Sequence, residues 1–544
     1  MALQPPVTAL AIKTETEGFY TGFSKFVAIG SKLLIGLLIL WAAIWSESAG
    51  AILNSIRDFI SANTGTWYMW VVAFYITVCV ALAIWPATGK IRLGGEGSKP
   101  EFSNFSWLSM MFGAGIGIGM LTYATGEPLF HFGTNPDVIM GLAEGSSADN
   151  VRAAYRWSFL HWGFSAWSSY AIVGLALAFF SYSRGLPLTI RSGLTPLFGR
   201  ALEGILGHIV DIVSVIATVL GVAVTIGYGV SQFASGVFNI TGARWLMTPE
   251  GSPTLGAMLV ALVIVMICST FSALSGVGKG IKWLSNINMM LSFFILAFFL
   301  IFGSTIFALN ALFAGMWDYI LALPAMSLTV WKADGVEDSV ATQLAGWQGS
   351  WTIFYWAWWI AFAPFVGLFL ARISRGRTIR EYVLGAMIVP SVVSFVWFAF
   401  VGGTAIDLTL NGGAGDAITG AGLSSQLFAM INFMLSPALA TMMSMVIVVL
   451  LLTYLVTSAD SAVLIINTIT AAGDESQKGR VHIITWGTIL TLVIGVLLVA
   501  GGLGAINTAM IIGALPFSVV MALMGISLFK ALIRDGMRAK NDAT

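Results

Sequence analysis

Twelve apolar runs, each long enough to cross a bilayer, constrain this chain more than any other feature. They fall near residues 27–47, 68–86, 104–130, 153–183, 206–238, 255–273, 285–315, 349–371, 381–402, 436–471, 481–502 and 506–530. A helix of about 20 apolar residues spans the hydrocarbon core. Several runs are longer, so tilts or breaks are expected. Only 9% of the 544 residues are charged, against about 25% in soluble domains. That excludes a soluble multidomain enzyme, a disordered protein and a nucleic-acid binder, and the net charge of +1 offers no field to a polyanion. Residues 1–25 are mixed polar and lack a cleavable signal pattern. Cys79 and Cys268 sit in apolar runs and read as free thiols.

Lysine and arginine set the orientation. All but Arg57, Arg152, Arg156, Arg244 and Lys332 of the 26 basic residues fall in the tails and the even-numbered loops. Basic loops stay inside, which predicts both termini in the cytoplasm and an inner-membrane protein. The polar stretch 316–347, with Trp317, Trp331 and Trp347, is expected to be an interfacial helix. The stretch 403–435 is expected outside as well, and is rich in Gly, Asp and Asn.

Three intramembrane segments depart from a plain lipid-facing helix. The third run carries Gly113, Gly115, Gly117 and Gly119. Each glycine costs about 1 kcal/mol against alanine inside a helix, so a break is expected here. Freed carbonyls then suit a cation, and freed amides an anionic substrate group. Close helix packing through GxxxG pairs is the alternative. The eighth run, Trp351 to Phe365, holds Trp356, Trp358, Trp359 and Phe362 before Pro364. Trp356, Trp359 and Phe362 recur at helical spacing, and the fourth run adds Trp162, Trp167 and Tyr170. Indoles deep in a membrane can cage a quaternary ammonium or sulfonium, worth about 2 kcal/mol when desolvated; ordinary aromatic packing is the alternative. The tenth run contains Tyr454, Thr457, Ser458 and Asp460. Adjacent hydroxyls offer oxygens to a hard cation, or bond back to their own turn. Asp460 and Glu127 are membrane-region carboxylates and therefore functional candidates, though either also suits a helix cap.

Catalytic constellations are missing. There is no HExxH or GxSxG, and His131, His161, His208 and His482 lack ligand-like spacing. The chain is expected not to be an enzyme. A channel fits the composition alone.

Taken together, Gly115–Gly119 followed by Glu127-Pro128, the run Trp351–Pro364, the run Ala371–Glu381 and Thr457-Ser-Ala-Asp460 resemble the betaine/carnitine/choline transporter family over about residues 25 to 530. The resemblance implies an all-α integral membrane fold of twelve transmembrane helices. Two peripheral helices precede two inverted five-helix repeats of the LeuT-like kind. The corresponding division is a tail 1–26, peripheral helices 27–103, a first repeat 104–315, an interfacial helix 316–348, a second repeat 349–530 and a short tail 531–544. It further implies sodium symport of a zwitterionic onium substrate, and a homotrimer in the lipid bilayer.

By motif, Trp162, Trp167, Tyr170 and Trp359 resemble the family's aromatic box, with Trp356, Trp358 and Phe362 along the substrate path. Phe362 stands where the betaine transporter has tryptophan. The substrate carboxylate is expected near Gly115, Gly117 and Gly119. The main sodium site would use Gly113, Ile116, Thr457 and Ser458, with Tyr454 beside it. A second sodium site would use Thr218 and Phe365, but its partner threonine is replaced by Val222, which offers no oxygen; Thr225 is the nearest substitute. Choline-selective relatives coupled to protons carry aspartate at the position of Gly119. A net-cationic substrate needs a buried counter-carboxylate, and the box segments carry none, which favours a zwitterion such as glycine betaine or dimethylsulfoniopropionate. Carnitine exchangers of the family place a basic side chain on span five; residues 201–243 contain no lysine or arginine, which favours sodium coupling over sodium-independent exchange. The short end after Phe529 predicts weak osmotic activation.

Overall fold

The computed structural model describes residues 5–95, 97–115, 117–275, 282–476 and 479–543. Apart from three isolated β-bridges, the regular structure among them is helical. Lipid offers no partner to a backbone N–H or C=O, so spanning segments must close their hydrogen bonds internally. Eleven helices among the described residues are long and apolar enough to cross a membrane.

The breaks in these helices position the site. The third run divides into Asn104–Gly115 and Ile118–Gly133, neither of which spans a bilayer alone. Gly117 caps the second half in an extended conformation, φ −165° and ψ −173°. Ile116, a predicted sodium ligand, lies outside the described residues. The fourth run breaks at Gly163 (φ −94°, ψ −136°), between Val151–Trp162 and Phe164–Ala178. The freed N–H of Phe164 donates to the Tyr319 hydroxyl at 2.9 Å. A Cβ on Gly163 would lie 2.5 Å from the Phe159 carbonyl and 2.7 Å from that hydroxyl, so glycine is required at this corner. The last two predicted runs are two helices within Arg480–Ala543, separated at Gly501 and Gly502, whose backbone is not helical (φ 178°, ψ 26° and φ 63°, ψ −150°).

One boundary differs from the sequence expectation. The seventh run was predicted to reach 315 and the interfacial helix to start at 316. Instead Lys282–Phe302 ends before Gly303, and a new helix runs Thr305–Leu328. The apolar pattern continues across the turn, so hydrophobicity could not reveal it. The Thr404 hydroxyl, from a distant segment, accepts the freed N–H of Ser304 at 3.2 Å. Within the tail 531–544, helix continues through Ala543.

Two glycine crossings set the central helices. Phe354–Ile373 packs along Phe164–Ala178. A Cβ on Gly174 would lie 2.8 Å from the Gly367 carbonyl, and one on Gly367 would lie 3.0 Å from the Gly174 nitrogen. Small residues let membrane helices approach backbone to backbone, and here they draw Tyr170 towards Trp359 and Phe362. Gly221, in Ile205–Thr241, meets Ala361 in the same way at 3.0 Å. On the connector before that helix, buried Arg191 donates through Nε to Asp211 at 2.6 Å and through its backbone N–H at 3.2 Å. At the opposite end, Arg152 pairs with Asp318 at 2.6 Å and Arg156 with Asp137 at 2.5 Å.

Candidate functional site

A cavity of about 1020 Å³ opens among these helices. Its inner end is aromatic, lined by Trp162, Trp167, Tyr170, Trp358, Trp359 and Phe362. Its mouth is polar, at Glu101, Tyr182, Arg372, Arg375 and Glu475. The mouth therefore lies on the side of the basic loops, with Arg372 Nε paired to Glu475 at 2.7 Å on its rim.

The rings meet largely edge to face. Trp162 lies 5.0 Å from Trp359 at 71°, Trp167 lies 5.3 Å from Tyr170 at 80°, and Tyr170 lies 6.1 Å from Trp359 at 80°. Trp358 stacks on Trp359 at 5.1 Å and 12°. Three indole N–H groups are held by the protein. Trp162 donates to Glu127 Oε2 at 2.6 Å, Trp359 to the His161 carbonyl at 2.8 Å, and Trp358 to the Thr225 hydroxyl at 3.3 Å. Fixing the N–H edges fixes the ring planes, and the negative face of an indole is what attracts an onium cation.

The helix break sits against these rings. Gly113, Gly117 and Gly119 line the cavity. A Cβ on Gly119 would come within 3.0 Å of Trp358 and 3.1 Å of Trp162. Gly115 closes the first half-helix. The second half-helix presents its positive N-terminal end here, a natural anion seat.

Further towards the mouth, Tyr454, Thr457 and Ser458 face the same cavity. Thr457 donates to the Thr453 carbonyl at 2.9 Å and accepts from Asn288 Nδ2 at 3.0 Å. Tyr454 and Ser292 share a hydrogen bond of 2.8 Å. Asn288 Oδ1 is buried without a hydrogen-bond partner and is a further free oxygen beside the hydroxyls. Sequence reasoning missed Asn288; its signal was an amide inside an apolar run.

Trp356 and Thr218, both predicted for the site, are not among the residues lining this cavity. Trp356 is buried and packs edge-on to His161 at 5.9 Å. The cavity face of its helix runs through Trp358, Trp359, Phe362, Phe365, Val366 and Phe369. At about 100° per residue, Trp356 projects well to the side of Trp358. Thr218 donates to the Ser214 carbonyl of its own helix at 2.8 Å. Phe365 and Thr225 do line the cavity.

Glu127 corrects another expectation. The box segments carry no carboxylate, but the second half-helix of the third run delivers one directly behind the box. Fully buried, Glu127 receives His161 Nδ1 at 2.6 Å on Oε1, and Trp162 at 2.6 Å and Tyr355 at 2.5 Å on Oε2. His131 Nε2 lies 3.3 Å from Oε1. Ligand-type atoms of Glu127, His131 and His161 all lie within 4.8 Å of one another, close enough together to hold a metal ion. Here the carboxylate oxygens are already engaged by N–H and O–H groups. Asp460 is also buried, and accepts from Ser272 at 2.6 Å and Ser461 at 3.2 Å, joining Leu255–Ser275 to Pro437–Thr470.

Comparison with known proteins fits this architecture. A family model for betaine/carnitine/choline family transporters matches residues 26–537. The glycine betaine transporter OpuD of Bacillus subtilis is 36% identical over 504 residues, covering 92% of this chain and 93% of the relative. The osmo-dependent choline transporter BetT2 of Acinetobacter baylyi is 36% identical over 520 residues, covering 95% of this chain and 72% of the relative. The solved structure of MhsT in complex with L-phenylalanine aligns over 80% of this chain and 99% of that one, at 16% identity and a TM-score of 0.37, too loose a likeness to argue from. A family match over almost the whole chain, with relatives that are transporters, makes this a multi-pass membrane transporter and not an enzyme. The chain belongs to the betaine/carnitine/choline transporter family.

Proposed function

We propose that this protein imports a betaine-type zwitterion, glycine betaine or dimethylsulfoniopropionate, by sodium symport. The observation that carries this reading is the meeting of three chemistries in one cavity: aromatic faces, a broken helix N-terminus and a cluster of hydroxyl oxygens. The onium group sits among Trp162, Trp167, Tyr170 and Trp359, with Trp358 and Phe362 beside it. The carboxylate lies against the backbone at Gly117 and Gly119. Sodium lies between the broken helix and Thr457 and Ser458, where Asn288 Oδ1 is an additional oxygen.

The working topology is twelve spans. It counts the broken segment 104–133 once, treats Thr305–Leu328 as interfacial, and divides Arg480–Ala543 at its glycine kink. Both termini are then cytoplasmic, the cavity mouth faces inward, and two five-helix inverted repeats follow two peripheral helices. The assembly is a homotrimer in the inner membrane. Sodium orders the broken helix, the zwitterion enters the box, and rocking of one helix bundle against the other moves access between the two sides.

A second reading, choline uptake, draws on Glu127 behind the box and on the choline transporter among the relatives. Gly119 favours the zwitterion, because a side chain there would press on Trp162 and Trp358. The test is uptake of labelled glycine betaine into proteoliposomes under inward sodium or potassium gradients. Excess dimethylsulfoniopropionate, carnitine or choline serves as competitor. Saturable uptake only with sodium is expected, with betaine-type competitors strongest. Uptake that ignores sodium, or that requires preloaded vesicles, would replace symport with exchange; choline as the strongest competitor would replace the substrate.

A further inference from the structure

We infer that Glu127 sets the charge selectivity of the aromatic box, acting through Trp162 and Tyr355 rather than by touching the substrate. This inference rests on the betaine reading above and deepens it. Among the described residues no lysine or arginine pairs with Glu127; its contacts are an indole, a phenol and two imidazoles. That differs from an ordinary buried carboxylate, which is kept by a cationic partner.

The imidazoles fit this account. His161 turns Nδ1 to Glu127 at 2.6 Å and Nε2 to the Thr352 hydroxyl at 3.1 Å. A neutral ring satisfies both contacts, donating at Nδ1 and accepting the threonine proton at Nε2. Three N–H and O–H donors converge on the two oxygens of Glu127, an arrangement that suits the carboxylate anion, whose field reaches further in a dry site than in water. It is bonded at 2.6 Å to the N–H edge of Trp162, whose ring lines the cavity. Its second partner, Tyr355, stacks on Trp359 at 5.4 Å and 19°. Accepting the indole and phenol protons pushes electron density into both rings. The box thereby becomes more attractive to a positive onium than its ring geometry alone makes it. Glu127 is a positioning and charge-setting residue, with the substrate on the far side of the indole.

The discriminating probe is 3,3-dimethylbutanoate, which has the shape and carboxylate of glycine betaine but a neutral carbon in place of nitrogen. Binding of glycine betaine and of this isostere to purified protein, in sodium, is compared for wild type, Glu127→Gln and Tyr355→Phe. Wild type is expected to prefer betaine by at least a hundredfold, and Glu127→Gln to narrow that preference tenfold or more. Tyr355→Phe removes one of the two couplings but keeps the carboxylate and its bond to Trp162, and is expected to narrow the preference about threefold, less than Glu127→Gln does. A purely structural role for Glu127 would weaken both ligands equally, and an unchanged ratio in Glu127→Gln overturns the inference while leaving betaine binding standing. Should that variant fail to fold, Tyr355→Phe decides, because a preference unchanged from wild type there also overturns it. No betaine binding by wild type would overturn the functional reading, and this inference with it.

Discussion

Asp211 and Glu127 are both shut away from solvent, yet they are held in opposite ways. Asp211 faces a guanidinium, and Arg191 adds its own backbone N–H to the same carboxylate. Arg191 also reaches the Leu202 carbonyl at 3.2 Å and His208 at 3.0 Å. The result ties the connector to the start of Ile205–Thr241 and has no opening to the cavity. Glu127 instead collects donors from side chains that carry or adjoin the aromatic box. A carboxylate neutralised by arginine is spent on architecture. One surrounded by uncharged donors keeps a field that a neighbouring ligand can feel.

The largest effect that tests this contrast lies on the Asp211 side. Asp211→Asn leaves Arg191 without its counter-charge, and breaking one partner of a buried pair costs about 3–5 kcal/mol. The expected outcome is a lower thermal midpoint and less monodisperse protein, with the betaine half-saturation of the surviving fraction unchanged. A change in half-saturation at intact stability would erase the distinction between the two carboxylates. Trp359→Ala should show the reverse signature. Loss of a desolvated cation–π face worth about 2 kcal/mol weakens betaine roughly 30-fold, while the thermal midpoint without ligand stays close to wild type. Betaine affinity that survives the change would remove Trp359 from the box.

Thr457→Ala sharpens the comparison from the cation's end of the cavity. It removes an oxygen beside Ser458 and Asn288 and should raise the sodium concentration for half-maximal uptake about tenfold, since hard cations are held by oxygen number. Sodium dependence identical to wild type would move the ion elsewhere. The smallest effect belongs to Arg152→Gln. Its pair with Asp318 is exposed on the arginine side, and such pairs contribute about 0–1 kcal/mol. Uptake and thermal midpoint should both stay near wild type; a large loss in either would mean that exposed and buried ion pairs cannot be separated in this fold.

Local pattern revealed what is local. Four glycines within Gly113–Gly119 foretold a broken helix, and the break lies there, with Gly117 extended. The tryptophan run foretold a ring-lined face, and Trp358, Trp359 and Phe362 line the cavity. The three-residue spacing grouped Trp356 with Trp359 and Phe362, whereas the cavity takes Trp358 with them; only packing against Phe164–Ala178 decides which face turns inward. Partnerships across the chain were equally hidden. Nothing near Glu127 says that Trp162 and Tyr355 will donate to it, and nothing near Gly163 says that Tyr319 will receive the N–H of the next residue. The turn at Gly303 was missed for the same reason, since Thr404 completes it from far along the chain.

The cavity has a polar mouth, at Arg372 and Glu475, and an aromatic floor. Its geometry carries a thermodynamic consequence. A solute that reaches that floor only through this mouth equilibrates with a single compartment, so its occupancy obeys that compartment's concentration and ignores the other's. This arrangement of helices, taken alone, cannot sense a gradient. Work against a gradient becomes possible only in the alternation between it and a counterpart opening on the opposite side.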